Sequence, residues 1–395
     1  MTIDSIDLFH VRMPLLEPWR TAYGSDDAIE SILVRMCADG LVGWGESCPL
    51  AMPCYSPEYA GGVFGVLRDC LVPRLIGETI NSGEDLQAKL QMFKGNYFAK
   101  GALDTAWWDI HAKMQGEPLW RVLGGRSPTL KAGADFGIRN SVEELIELVG
   151  DAVRSGAPRI KLKYAPHWGF PIVEKIRESF PGAVLHIDCN ASYSLSDRAM
   201  FQELDRLELA MFEQPLSFTD LADHAALQWA VRTPVCLDES INSVQTMHQA
   251  ITLKSCRWVN IKPGRVGGLT VARQIHDLCQ SAGIPCWVGG MLESSVGAHH
   301  CAALATLPNF HYPPDLFPSS RFYANDLSEP AATFASPWTL TLPEGPGVGA
   351  SPDPARLKKW TLQKASFGGG VGFASPPESH GHSEINSDPR AMGFL

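Results

Sequence analysis

The chain has 395 residues, 45% hydrophobic and 19% charged, with a formal net charge of -10. That size suits one large domain plus a smaller one; the negative charge argues against a nucleic-acid partner, and no apolar run is long enough for a transmembrane helix. The opening MTIDSIDLFHVRMPL lacks the basic start and apolar run of a signal peptide, and ten cysteines without CxxC pairs read as buried thiols, so we expect a cytoplasmic protein with no membrane partner.

In chain order, Ile3–Arg12 and Ser31–Cys37 read as strands, and GLVGWGE as a turn with a returning strand. Helical patterns follow near Pro57–Leu71, Asp85–Phe93 and Lys100–Met114. Strands first and helices later predict an α+β capping domain over residues 1–128. From Leu130 short apolar strands alternate with helices. The strands are KAGADFGI, RIKLKY, VLHIDCN, LAMFEQ, PVCLDES, RWVNIK, IPCWVG and NFHYPP. The helices include Ser141–Ser155, Ser196–Leu207, Asp220–Ala230, Ser243–Leu253 and Leu269–Ala282. Eight strands with helical crossovers predict an α/β fold, a parallel (β/α) barrel over residues 129–325. An open doubly wound sheet is the rival, but no GxGxxG follows an early strand. Residues 326–366 are irregular and Pro-rich, and Ser336–Leu342 is expected to return to the first domain as a strand. Residues 367–395 read as a flexible tail.

Three acids recur at strand ends: Asp188 in VLHIDCN, Glu213 in AMFEQP and Asp238 in VCLDES. Lys262 in VNIKPG follows, and the steps are 25, 25 and 24 residues. One βα unit separates each pair, so all four fall on the C-terminal rim of adjacent strands, where barrel active sites form. Carboxylates aimed at one point repel each other. A hard cation such as Mg²⁺ compensates and leaves positions open for substrate. Helix capping or surface pairing explains one such acid, but not three in register followed by a lysine. On the repulsion argument, removing one acid is expected to stabilise the metal-free protein.

Lys161 and Lys163 in RIKLKY are two apart and so share one face of a strand. Like charge and desolvation are expected to lower a lysine pKa toward that of a general base. A solvent-facing edge strand explains KxK alone better; Lys262, four strands away across the mouth, favours a site. Arg265 is expected to turn back and lower the Lys262 pKa further, and Glu239 to support its neighbour Asp238. His186, His299 and His300 read as packing residues.

Together these residues resemble the muconate-lactonizing subgroup of the enolase superfamily. More narrowly, the chain is similar to the o-succinylbenzoate synthase / N-acylamino acid racemase family. WRTAYG, GWGES, CYSPEY, AKGALDTAWWD, IKLKYAPHWG, FEQPL, CLDESI, NIKPGRVGG, GGMLESS and SSRFY carry the likeness, over about residues 19–345. The resemblance implies a capping domain from both chain ends over a modified (β/α) barrel. It implies Mg²⁺ or Mn²⁺ on Asp188, Glu213 and Asp238, an acid/base pair of Lys163 and Lys262, and Lys161 supporting Lys163 and the enolate. It implies substrate contacts from Trp19, Arg20 and Tyr23 in a mobile lid, and from Asp135, Asn190, Met291 and Glu293. The chain departs from the family at Asp135, where a small hydroxyl residue is more usual, in APHWG and in PPDLFPSS.

The implied activity is α-proton abstraction from a small-molecule carboxylate, in a cytoplasmic homo-oligomer. Loss of hydroxide from the adjacent carbon gives the synthase reaction of menaquinone biosynthesis. Return of the proton on the opposite face gives racemisation. A dipeptide epimerase is an alternative, but it calls for a DxD pair where PPDLFPSS offers only Asp315, unless Asp135 substitutes. Muconate cycloisomerase is another. Retention of every acid and both lysines speaks against a non-catalytic metal-bound barrel.

Overall fold

The computed structural model describes residues 1–368; from residue 369 on, the predicted tail lies outside the described residues. Three antiparallel strands open the chain: β1 (Ile3–Thr21), β2 (Gly24–Ala38) and β3 (Leu41–Ser47). The β2–β3 turn is Asp39-Gly40, with φ of 48° and 76°, the left-handed pair that a two-residue hairpin needs. In the middle of β2, Ser31, Ile32, Leu33 and Val34 are all fully buried, so both faces of the sheet are covered there. The sheet covers α3 (Tyr97–Met114), preceded by α1 (Ala60–Val66) and α2 (Gly83–Leu90). β3 and α3 approach so closely that a Cβ on Gly45 would lie 2.2 Å from the Ala102 carbonyl oxygen.

β1 and β2 run well beyond the predicted Ile3–Arg12 and Ser31–Cys37. Their extension carries Trp19 and Tyr23 to a hairpin end. Its segment LEPWRT has no apolar alternation, and the pairing register breaks between Pro14 and Trp19, so no strand signal reaches the sequence there.

After the short β4 (Thr129–Lys131), seven parallel strands form one curled sheet. They are β5 (Ala134–Phe136), β6 (Ile160–Lys163), β7 (Leu185–Asp188), β8 (Phe212–Glu213), β9 (Val235–Leu237), β10 (Trp258–Ile261) and β11 (Cys286–Val288), in spatial order β5 to β11. Helices cross over between them as predicted. A further helix, Phe170–Ser179, crosses from β6 to β7.

The eighth predicted strand, NFHYPP, is not a strand. It closes the gap between β11 and β5 as an extended segment. On one side, the Cys286 N–H donates to Asn309 and the His311 and Asp315 N–H groups donate to Cys286 and Val288. On the other, the Gly133 N–H donates to Pro314 and Arg159 Nε to Pro313. Pro313 and Pro314 have no N–H to give, so a regular ladder cannot form.

The predicted return of Ser336–Leu342 to the first sheet is also corrected. Phe334–Ser336 and Thr339–Thr341 make a hairpin that pairs with β4. The strand that joins the capping sheet is Thr361–Gly368, antiparallel to β1. Its exposed, polar TLQKASFG is half solvated, which hides it from a search for apolar runs.

Candidate active site

Each predicted acid and lysine sits where the period-two strand geometry puts it. Lys163, Asp188 and Glu213 are register partners across β6, β7 and β8. Asp238 and Lys262 directly follow β9 and β10. All five side chains are buried, and their contacts form one network. Lys161 Nζ lies 3.0 Å from Asp188, 2.9 Å from Glu213 and 3.0 Å from Asp315. Lys163 Nζ donates to Asp188 Oδ2 at 2.7 Å. Lys262 Nζ donates to Asp238 Oδ2 at 2.8 Å and to the Tyr55 hydroxyl at 3.1 Å.

Arg265 does turn back. Its Nη1 donates to Asp238 Oδ1 and, at 2.9 Å, to the Tyr55 hydroxyl, while its Nε and Nη2 bind the carbonyls of Ile241 and Asn260. Glu239 Oε1 accepts from Asn190 Nδ2 at 3.2 Å. Burial, with the Asp188 charge second, pushes the Glu239 carboxyl up to about 7.

The lysines are not lowered as expected. Burial pushes the Lys161 ammonium down, but Asp188, Asp315 and Glu213 outweigh it and hold its pKa well above the lysine range. Lys163 is raised in the same way by Asp188 against burial. Lys262 is raised against burial by the Tyr55 oxygen and the Glu239 and Glu213 charges. Reciprocally, burial alone would raise Asp188, and Lys161 and Lys163 override it to hold the carboxyl far below its usual range.

A divalent cation fits this donor set. The donors are all oxygen, and three further buried acceptors beside them, Asn190 Oδ1, Glu239 Oε2 and Asn260 Oδ1, have no hydrogen-bond partner among the described residues. As they stand, the carboxylates close on ammonium groups. Among the described residues no three acidic, histidine or cysteine groups are gathered as a ready ion site. Asp188, Glu213 and Asp238 could hold such an ion once their lysines turn to a substrate.

Lys161, Lys163, Lys262, Tyr55 and Asp315 line a partly open cleft, while Asp188, Glu213 and Asp238 are fully buried and do not reach its surface. Trp19, Tyr23, Asp135, Asn190, Met291 and Glu293 all line it. Arg20 stands apart: it donates to Asn140 at 2.5 Å and lines a separate cleft that shares Trp19 and Phe322 with this one. Trp19 packs edge-on against Phe322, with ring centroids 5.7 Å apart. Burial raises Glu293 to about 7. His186 packs between Trp287 and Tyr312 with its Nε2 3.4 Å from Glu213, and His299 and His300 are buried on the helix Ser295–Ala305.

Three residues of this network, Tyr55, Asn260 and Arg159, carry no role in the sequence reading. Tyr55 reaches the barrel from the capping region. Asn260 donates to Glu213 Oε1 at 2.7 Å. Arg159 pairs with Asp315, which also holds Lys161. Arg159 and Asn260 lie two residues before Lys161 and Lys262, so the same-face rule could have found both.

Comparison with known proteins agrees with this geometry. Residues 144–356 match the family described as Enolase C-terminal domain-like, and residues 4–124 match the Mandelate racemase / muconate lactonizing enzyme, N-terminal domain. The chain belongs to the enolase superfamily. It is 39% identical over 362 residues to an o-succinylbenzoate synthase of Geobacillus kaustophilus, covering 91% of this chain and 96% of that one. It is likewise 39% identical over 349 residues to an N-succinylamino acid racemase of Thermus thermophilus, covering 88% and 94%. An enolase-superfamily crystal structure from Listeria innocua superposes with a TM-score of 0.89 at 36% identity, covering 93% of this chain and 99% of that one. Members of the superfamily act on small carboxylates and use a divalent metal such as Mg²⁺. No helix among the described residues is long and apolar enough to cross a membrane.

Proposed function

We propose that this enolase-superfamily enzyme removes the proton α to a substrate carboxylate and serves as an o-succinylbenzoate synthase, an N-succinylamino acid racemase, or both. One observation carries the reading: Lys163 from β6 and Lys262 from β10 open on the same cleft, with the acids of β7, β8 and β9 between them. Asp188, Glu213 and Asp238 would hold Mg²⁺ or Mn²⁺, which when bound stabilises negative charge on the substrate carboxylate. Lys161 donates to that same developing enediolate. Lys163 takes or returns the α proton on one face, and Lys262 does so on the other. Tyr55 and Arg265 fix Lys262 and Asp238 relative to each other.

Racemisation needs both lysines, because the proton leaves one face and returns to the other. Dehydration loses hydroxide from the adjacent carbon, and one lysine suffices as base. The 39% identity to one synthase and one racemase supports both activities equally. The engagement of Asp315 by Arg159 and Lys161 counts against an epimerase role in which it would bind a substrate ammonium. Ten free cysteines support a cytoplasmic setting, where the synthase reaction would serve menaquinone biosynthesis.

The test is a panel of N-succinylamino acids, dipeptides and the cyclohexadiene carboxylate precursor of o-succinylbenzoate, with Mg²⁺ or Mn²⁺ in D₂O. We expect α-deuterium incorporation or dehydration with at least one class, abolished by exhaustive chelation. Full activity after chelation, or no exchange with any class, contradicts the reading.

A further inference from the structure

Asp135 occupies the middle of β5, beside its register partner Lys161. It is 5% exposed and lines the cleft. No donor among the described residues reaches its carboxylate, and Oδ1 is enclosed without a partner. Every cation nearby is committed elsewhere. Arg159 and Lys161 hold Asp315, and Lys163 holds Asp188. Arg321 gives its Nη2 to the main-chain carbonyl of Asp135, and its guanidinium stacks 4.3 Å from the centre of the Phe317 ring.

A buried carboxylate with no donor is costly, and native proteins rarely keep one unless a ligand completes it. The group to be completed faces the substrate cleft, so the missing donor belongs to the substrate. Its position narrows the choice. Lys163 lies two residues beyond Lys161 on the same face of β6, and the proposed chemistry puts the reacting carbon beside Lys163. Asp135 is one strand away, on the β5 side, and lines the same cleft as Lys163.

We infer that Asp135 accepts a hydrogen bond from an N–H on the nitrogen attached to the substrate's α-carbon. The enzyme thereby selects α-acylamino acids over equally shaped acids with oxygen at that position. This rests on the α-proton reading above and names the substrate class for it. An ester oxygen has no hydrogen to give. Its lone pairs face the carboxylate, which is then left dry and unpaired. Sites built around such a hydrogen bond reject the analogue lacking it far more strongly than a size mismatch does.

The experiment uses a matched pair: N-succinylphenylalanine and the compound in which an ester oxygen replaces its N–H. Exchange of the α proton in D₂O with Mg²⁺ is followed by NMR for the wild-type protein, Asp135→Ser and Asp135→Asn. The wild type is expected to favour the amide by about 100-fold or more in kcat/KM. Asp135→Ser is expected to bring the pair within about 10-fold, with the ester improved in absolute terms. A purely structural role for Asp135 would depress both substrates together and leave their ratio unchanged. Equal handling of the two compounds by the wild type, within about 3-fold, overturns the inference whether or not the variants fold, and leaves the α-proton reading standing. If the wild type exchanges neither compound nor any other carboxylate, that reading fails and takes this inference with it.

Discussion

Lys161 is held by three carboxylates at once, and this reverses an expectation drawn from the acids alone. Mutual repulsion predicts that deleting one acid stabilises the metal-free protein. In the structure Asp188 instead neutralises both Lys161 and Lys163, so Asp188→Asn leaves buried ammonium charge under-compensated. We expect a loss on the order of 3 kcal/mol in metal-free stability, read from urea melts in chelator, together with loss of turnover. An unchanged or higher midpoint would restore the repulsion picture. Arg265 gives a second test. A fixed cation disfavours a neighbouring ammonium, so its removal raises the Lys262 pKa and the basic form appears only at higher pH. In Arg265→Met the lower limb of the pH–rate profile should move to higher pH in the direction where Lys262 is the base. No movement in either direction removes Arg265 from the mechanism. Most of these residues were legible, because a 25-residue step and a two-residue strand period together specify position and face. Tyr55 was not: it comes from an irregular loop 207 positions from Lys262, and no periodicity links the two.

Between elements, two buried acids of the capping region latch onto helix N-termini of the barrel. Glu46, at the end of β3, accepts from the N–H groups of Ser294 and Gly297 at 3.1 and 2.9 Å, where the helix Ser295–Ala305 begins. Asp104 of α3 accepts from the Thr270 N–H at 3.0 Å, at the start of Leu269–Ser281, and from Gln87 Nε2 at 3.0 Å. Both meet the positive end of a helix, which ties the capping region to the barrel. Burial nevertheless pushes the Asp104 carboxyl up to about 6. A carboxyl raised above its unfolded value stabilises fully below about pH 3.8, and that contribution fades as pH rises through about 6. Asp104→Asn removes the effect. Relative to this variant, the wild type should lose about 2–3 kcal/mol of stability between pH 4 and pH 7, measured by denaturant melts at both pH values; parallel curves would contradict it. The sequence revealed seven barrel strands, since each is a short apolar run. It misled at the eighth, where NFHYPP has a strand's composition but two prolines that cannot donate. It was silent on Phe170–Ser179, whose Gly169 and Pro171 sit at the helix start and look like loop residues.

At the scale of the molecule, both ends of the described chain meet in the capping sheet, and that sheet carries Trp19 and Tyr23 to the cleft that the barrel's lysines line. The α/β class and the barrel were readable because βα spacing repeats. The C-terminal strand was not, because a half-solvated edge strand carries too few apolar residues to register. In the proposed reaction Lys163 works on one face of the α-carbon and Lys262 on the other. The most direct measurement is deuterium exchange by NMR, using separate D and L enantiomers of an N-succinylamino acid with Mg²⁺, for Lys163→Ala and Lys262→Ala. Neither variant should invert its substrate, and each should retain exchange with only one enantiomer, opposite for the two variants. Exchange of both enantiomers at wild-type rates by both variants would show that neither lysine is the base.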